Sequence, residues 1–308
     1  MLIVIGDINV DVMMAIAHWP HEGGDALAHT ATWSNGGTGL NAATAVGRMG
    51  GAVRLWGRMG TDAAANQVIQ HATSARIDIS DIQQDHAIPT GLCVIPVTPH
   101  GERTFLSYRG ANQHWQVPLY WPAPAGWVMV CGHALLSDPQ RQNAILALRY
   151  AQQHGWQTVV DVCEPLAPQF DTVMAQVSQP LTLLCGNEAE MHAMHGLPLS
   201  TYATTRITKL GAGGAHATHG THQLHGAGFA VDAVDTTGCG DTFVAVCSWA
   251  LSHGAPIHEA LQVANAAGAI MASRRGAADV VPGYADVRAF LHDRAVPLPA
   301  WFVAAQPV

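Results

Sequence analysis

Four short apolar runs, LIVIG at residues 2–6, WVMVCG at 127–132, QTVVDV at 157–162 and LTLLCG at 181–186, show almost no polar alternation. A strand with one wet face alternates apolar and polar side chains, so runs like these belong to strands buried on both sides. Between and around them lie stretches with helical spacing: GLNAATAVGRMG, a segment from Thr61, and another over Pro139 to His154. Strand alternating with helix on this scale predicts a mostly parallel sheet covered on both faces, an α/β fold. After Gly240 the pattern turns helical through ANAAGAIMASRRGA, with a last helix expected near Tyr284 to His292.

Two segments interrupt this rhythm, residues 12–35 and 88–111. Both alternate polar and apolar residues, and CVIPVTPHGERTFLSYRG reads as a hairpin turning at PHGE. They predict a small antiparallel sheet acting as a lid over the strand ends, where open α/β sheets hold ligands. Arg103 and Arg109 fall on this hairpin, where solvation of an exposed strand face is the first reading. A contact to a phosphate or an acidic substrate group is the second.

Composition excludes several classes. The 308 residues are 49% hydrophobic, enough for a large core, and no low-complexity linker divides them, so a single domain over 1–308 is expected. Only 12% are charged and the net charge is −8, which offers no basic field to nucleic acid or an anionic membrane. The six cysteines form no CxxC pair, which reads as free thiols in a reducing cytoplasm. The opening MLIVIGDINVDVMM lacks a basic n-region and is expected to be a buried strand rather than a signal peptide. No run reaches the ~18 apolar residues of a membrane helix. His216, His219, His222 and His225 recur at intervals of three, but their Gly and Thr neighbours favour two short strands and a turn over a metal site.

Four stretches carry chemistry. FAVDAVD runs into TTGCGD and then TFVAVCSWALSHG, read as strand, tight glycine turn and helix. The amides of Gly238, Cys239, Gly240 and Asp241 then lie at a helix N-terminus, an anion site by geometry and by dipole. Asp241 is either a helix cap or a base beside that anion hole, taking a proton from an attacking hydroxyl. In WSNGGTGLNAATAVGRMG, glycines precede a helix, and Asn41 in its first turn offers a donor and an acceptor to a hydroxylated ligand. In GDINVDV, Asn9 and Asp11 stand on one side of an extended segment and can hold adjacent hydroxyls. In CGNEAEM, Asn187 and Glu190 share a helix face, where a capping box is the competing reading.

In this order the four stretches resemble the ribokinase-like (PfkB) family of carbohydrate kinases over nearly the whole chain. NGGTGLNAATAVGRMG is similar to the family's N-terminal glycine signature, VDTTGCGDTF to its C-terminal signature, NEAE to its Asn-x-x-Glu element, and TKLGAGGA to a strand-turn near the nucleotide. The resemblance implies an αβα sandwich with a small β-sheet lid, and an ATP-dependent kinase that phosphorylates a primary hydroxyl of a small carbohydrate. A nucleoside kinase, or a non-catalytic sugar- or nucleotide-binding regulator on the same scaffold, is the alternative. It implies Asp241 as the base and the amides from Gly238 to Asp241, Cys239 and Gly240 included, as the anion hole. Asn9, Asp11, Gly37, Thr38 and Asn41 fall in the substrate set. Asn187, Lys209, Gly211, Gly214 and Asn265 border the nucleotide, and Glu190 with Asn187 organises Mg2+ through water. Asp235 and Thr237 resemble part of a loop for a monovalent cation, K+. Thr38 stands where the ribose-specific branch typically carries lysine, and DVCEP departs from the Asp-Pro-Asn-x-Arg form of several relatives, so no particular sugar is implied. Cys239 takes a position usually held by alanine; a filler is the expectation, and a thiol of lowered pKa at a helix N-terminus is the alternative. The open edges of a lid suggest a homodimer.

Overall fold

The structure, a computed structural model, describes residues 1–307. Among these, the larger sheet has eight strands. Leu2–Ile5 lies inside it, paired in parallel with Val53–Trp56 on one side and Trp127–Cys131 on the other. Beyond the latter follow Gln157–Asp161, Leu181–Asn187 and Ala203–Lys209, all parallel. The antiparallel hairpin Gly214–His219 and His222–Ala227 completes the edge. His216 faces His225 in that hairpin, and the turn uses Gly220 at φ +57°, so the histidine period of three is a strand-turn-strand feature.

The opening strand shows why its sequence lacks alternation. Leu2 and Val4 enter one core, shared with the helices Thr38–Arg48, Cys239–Ser252 and Ile257–Ala272. Ile3 and Ile5 enter a second core, shared with Gln140–Gln153. Each fully buried Ile or Leu contributes about 1.5–3 kcal/mol, so both faces favour the same strand. The Thr38–Arg48 helix starts directly on the end of this strand: a Cβ placed on Gly39 would lie 2.6 Å from the Gly6 carbonyl carbon. No helix among the described residues is long and apolar enough to cross a membrane.

A four-stranded sheet projects from the sandwich, ordered Ala28–Gly36, Asn9–Ile16, Gly91–Val97, Leu106–Tyr108. It corrects the expectation of an all-antiparallel lid, because Asn9–Ile16 and Gly91–Val97 run parallel, with Asn9 opposite Gly91. The two strands come from separate insertions and have no tight turn to force reversal. The hairpin turn forms within PHGE, where Thr98 N donates to Glu102 O over 3.0 Å and Gly101 adopts φ +82°.

The strand expected at FAVDAVD is absent, a second correction. Residues 229–235 cross the end of the Ile257–Ala272 helix, and the amides of Val234 and Asp235 both donate to Ala272 O, at 2.7 and 3.1 Å. The last carbonyls of a helix lack intrahelical donors, and this segment supplies them instead of joining a ladder.

Candidate active site

The Cys239–Ser252 helix begins after Gly238, whose φ of +72° suits glycine and aims the first turn outward. Cys239 N donates to Thr236 O at 3.2 Å, whereas the amides of Gly238, Gly240 and Asp241 have no acceptor among the described residues. The expected four-amide anion hole is therefore corrected to three, since the tight turn consumes the Cys239 amide. Those three residues line a cleft of about 340 Å³ together with Thr38, His133, Asp161, Asn187, Glu190 and Lys209.

Asp241 is enclosed by protein but keeps a face on this cleft. Burial raises its carboxyl above the ordinary range, opposed by the Asn41 hydrogen bond and the Lys209 charge. Asn41, 4% exposed, donates through Nδ2 to Asp241 Oδ2 at 2.9 Å, and its Oδ1 is buried without a partner. The glycine turn before Asn41 is not an open anion site, because Asp7 O accepts from both Gly39 N and Leu40 N, at 3.0 and 3.3 Å. Gly37 is required there by φ +90° and by contact: a Cβ would lie 2.5 Å from Asp7 O.

Asn9 and Asp11 sit two apart on the strand that links core to lid. Asn112 Nδ2 fixes Asn9 Oδ1 at 2.9 Å, leaving the Asn9 amide nitrogen for a ligand. The Asp11 carboxylate packs over Gly36, where a Cβ would lie 2.1 Å from Oδ2. Burial, then Asp241 and Asp279, push Asp11 up to about 7. That coupling brings Asp11 and Asp241 into one electrostatic neighbourhood.

Asn187 and Glu190 form a full capping box: Asn187 N donates to Glu190 Oε2 at 2.7 Å and Glu190 N to Asn187 Oδ1 at 2.9 Å. Both also line the cleft, and Glu190 Oε1 has no hydrogen-bond partner among the described residues. Capping and a ligand role are thus compatible, one oxygen each. Among the described residues no three His, Cys, Asp or Glu side chains converge on a metal ion. The donor set fits magnesium held chiefly by phosphate and water, with Glu190 and Asn187 at its edge.

Lys209 Nζ pairs with Asp161 Oδ1 at 2.7 Å. Burial works against its charge, but the Asp161 carboxylate outweighs it and holds the lysine protonated. A Cβ on Gly240 would lie 3.2 Å from this ammonium, so positive charge stands beside the unpaired amides. Lys209 also borders a second, largely apolar cleft of about 510 Å³ lined by Gly211, Gly214, Phe229, Val231, Asn265 and Ala269. Asn265 Nδ2 is committed to Gly226 O and Ala227 O, at 3.0 and 3.1 Å, and ties the edge hairpin to its helix.

The two arginines do not solvate an exposed face, a further correction. Arg109 clamps buried Asp7 through Nε and Nη2, both at 2.8 Å, and Arg103 Nη1 reaches Asp235 Oδ1 at 2.8 Å. Cys239 is not activated either: burial, with Asp235 and Asp241 nearby, pushes its thiol up to about 12. Asp161 and His133 were not singled out from sequence, although both close a parallel strand or follow one, where α/β sheets place ligands. His133 is half-buried; burial lowers its pKa, and its Nδ1 lacks a partner.

The sequence matches the pfkB family of carbohydrate kinases over residues 1–283. A ribokinase of Schizosaccharomyces pombe is 26% identical over 309 residues, covering 93% of this chain and 96% of its own. The structure of Arabidopsis thaliana ribokinase complexed with ribose and ATP superposes with a TM-score of 0.79 at 23% identity, over 94% of this chain and 98% of that one. A Burkholderia thailandensis nucleoside kinase in complex with inosine superposes at 0.82 with 17% identity, over 97% and 100%.

Proposed function

This chain belongs to the pfkB family of carbohydrate kinases, phosphotransferases with an alcohol group as acceptor, and on that premise we propose that it transfers the γ-phosphoryl group of ATP to a primary hydroxyl of a small carbohydrate. The observation that carries the reading is Asp241 on the cleft wall beside three amides without acceptors.

Phosphoryl transfer needs alignment, charge neutralisation and a dry site more than covalent help. Asp241 takes the hydroxyl proton on its carboxylate, a role worth about 10²–10⁴ in rate. The amides of Gly238, Gly240 and Asp241 donate to the equatorial oxygens, and Lys209 adds fixed positive charge. Asn9, Asp11, Gly37, Thr38 and Asn41 hold the acceptor, with Asn41 also orienting Asp241. The apolar cleft with Gly211, Gly214 and Asn265 receives the base of the nucleotide. Magnesium, when bound, offsets phosphate charge, and Glu190 Oε1 with Asn187 would hold its waters. The lid excludes water, which would otherwise compete with the sugar.

A nucleoside acceptor would use the same Asp11 and Asn41 contacts, and a non-catalytic regulator would need no base. Turnover of MgATP against a panel of pentoses, hexoses, ketoses, sugar acids and nucleosides separates these readings. Product from one sugar class supports the proposal; turnover of nucleosides alone moves the chain to that class, and none at all favours the regulator. Exposed Trp33, Leu106 and Tyr108 on the lid support a homodimer through that sheet, which light scattering would detect.

A further inference from the structure

Asp235 lies just before the anion-hole turn, and its side chain is 0% exposed. A carboxylate withdrawn from water needs donors and an opposite charge. Its Oδ1 accepts from Thr237 N at 2.9 Å and its Oδ2 from Gly276 N at 3.1 Å. The opposite charge comes from Arg103, whose Nη1 lies 2.8 Å from Oδ1 while Nη2 donates to Val234 O at 3.3 Å. Arg103 belongs to the lid hairpin, bridged to Val97, so this ion pair pins the lid to the turn that presents Gly238, Gly240 and Asp241.

The resemblance assigns Asp235 and Thr237 to a monovalent-cation loop. The donor set does not fit that ion in this structure: the carboxylate is enclosed, and the positive charge beside it is a guanidinium. An arginine keeps its charge at every accessible pH and needs no exchange with solvent. An added cation would have to displace it or stand beside it, charge against charge.

We propose that Arg103 substitutes for the monovalent cation, acting as a positioning residue that holds Asp235, and through Thr237 N the anion-hole turn, so that turnover does not depend on potassium. The proposal rests on the kinase reading above for its rate effects, but its ion-binding claim stands separately.

The test compares wild type, Arg103→Ala and Arg103→Lys in potassium chloride and in N-methylglucamine chloride at equal ionic strength. Wild type is expected to turn over equally in both. Arg103→Ala is expected to lose about tenfold to a hundredfold in kcat, as a misplaced site does, and to regain part of it in potassium. Arg103→Lys should recover rate without potassium. Potassium activation of wild type, or unchanged kinetics in Arg103→Ala, would overturn the proposal. Thallium(I) soaks of crystals give a readout free of turnover: no anomalous peak beside Asp235 in wild type and one in Arg103→Ala. A peak in wild type would overturn it as well. If no acceptor is phosphorylated at all, the kinase reading fails, and the thallium result still decides the role of Arg103.

Discussion

Asn41 Nδ2 donates to Asp241 Oδ2 across 2.9 Å, joining the first turns of two helices through residues 200 positions apart. The bond orients the proposed base and lowers its proton affinity against the burial that raises it. Asn41→Ala therefore removes a hydrogen bond that favours the carboxylate. The acid limb of kcat/KM is expected to move to higher pH, with kcat lower by about tenfold to a hundredfold. An unshifted limb in a pH–rate profile would contradict this. Asp241→Asn should abolish turnover while calorimetry still detects MgADP.

Asp11 is 7% exposed and sits near pH 7, above the ordinary carboxylate value of 3.8. A group whose folded pKa is raised binds more protons in the native state, so its contribution to stability falls as pH rises from about 4 to about 7. Asp11→Asn is expected to raise Tm at pH 8 more than at pH 5, while weakening substrate binding. Equal Tm differences at both pH values would refute the assignment.

Lys209→Met leaves Asp161 buried without its counter-charge, a loss of about 3–5 kcal/mol in urea unfolding at neutral pH. Protonation of Asp161 should shrink that loss as the pH is lowered, and Lys209→Met with Asp161→Asn should recover much of it. The same loss at pH 5 and pH 8 would argue against the ion pair.

Cys239 has its thiol near 12 and its amide bonded to Thr236 O. At pH 8 its thiolate fraction is on the order of 10⁻⁴, so iodoacetamide should modify it far more slowly than a free thiol. Cys239→Ala should keep full activity. Rapid alkylation, or a dead variant, would show that the thiol takes part.

What the sequence made legible follows from locality. The core strands announce themselves because each residue of Leu2–Ile5 must be apolar on both faces. The anion-hole turn is legible because Gly238, Gly240 and Asp241 stand within four positions. Pairings across the chain left no local trace: Lys209 finds Asp161 over 48 positions and Arg109 finds Asp7 over 102. An arginine on an alternating strand reads as a solvated residue until its partner is seen, and both lid arginines did. The Cys239 amide could not be separated from its neighbours either, because one 3.2 Å turn bond decides it.

The parallel pairing of Asn9 with Gly91 has a consequence for how the molecule assembles. Parallel neighbours so distant in sequence form only after a long loop closes, and such contacts form late. Asp11 thus has no lid neighbour on its far side until the chain beyond Gly91 has been made and the first core has collapsed. Asp241 joins it only when the helix after Gly238 docks on the one after Gly37. The sandwich depends on the same kind of closure, Leu2–Ile5 with Trp127–Cys131, so sandwich and catalytic face are expected to gain hydrogen-exchange protection together.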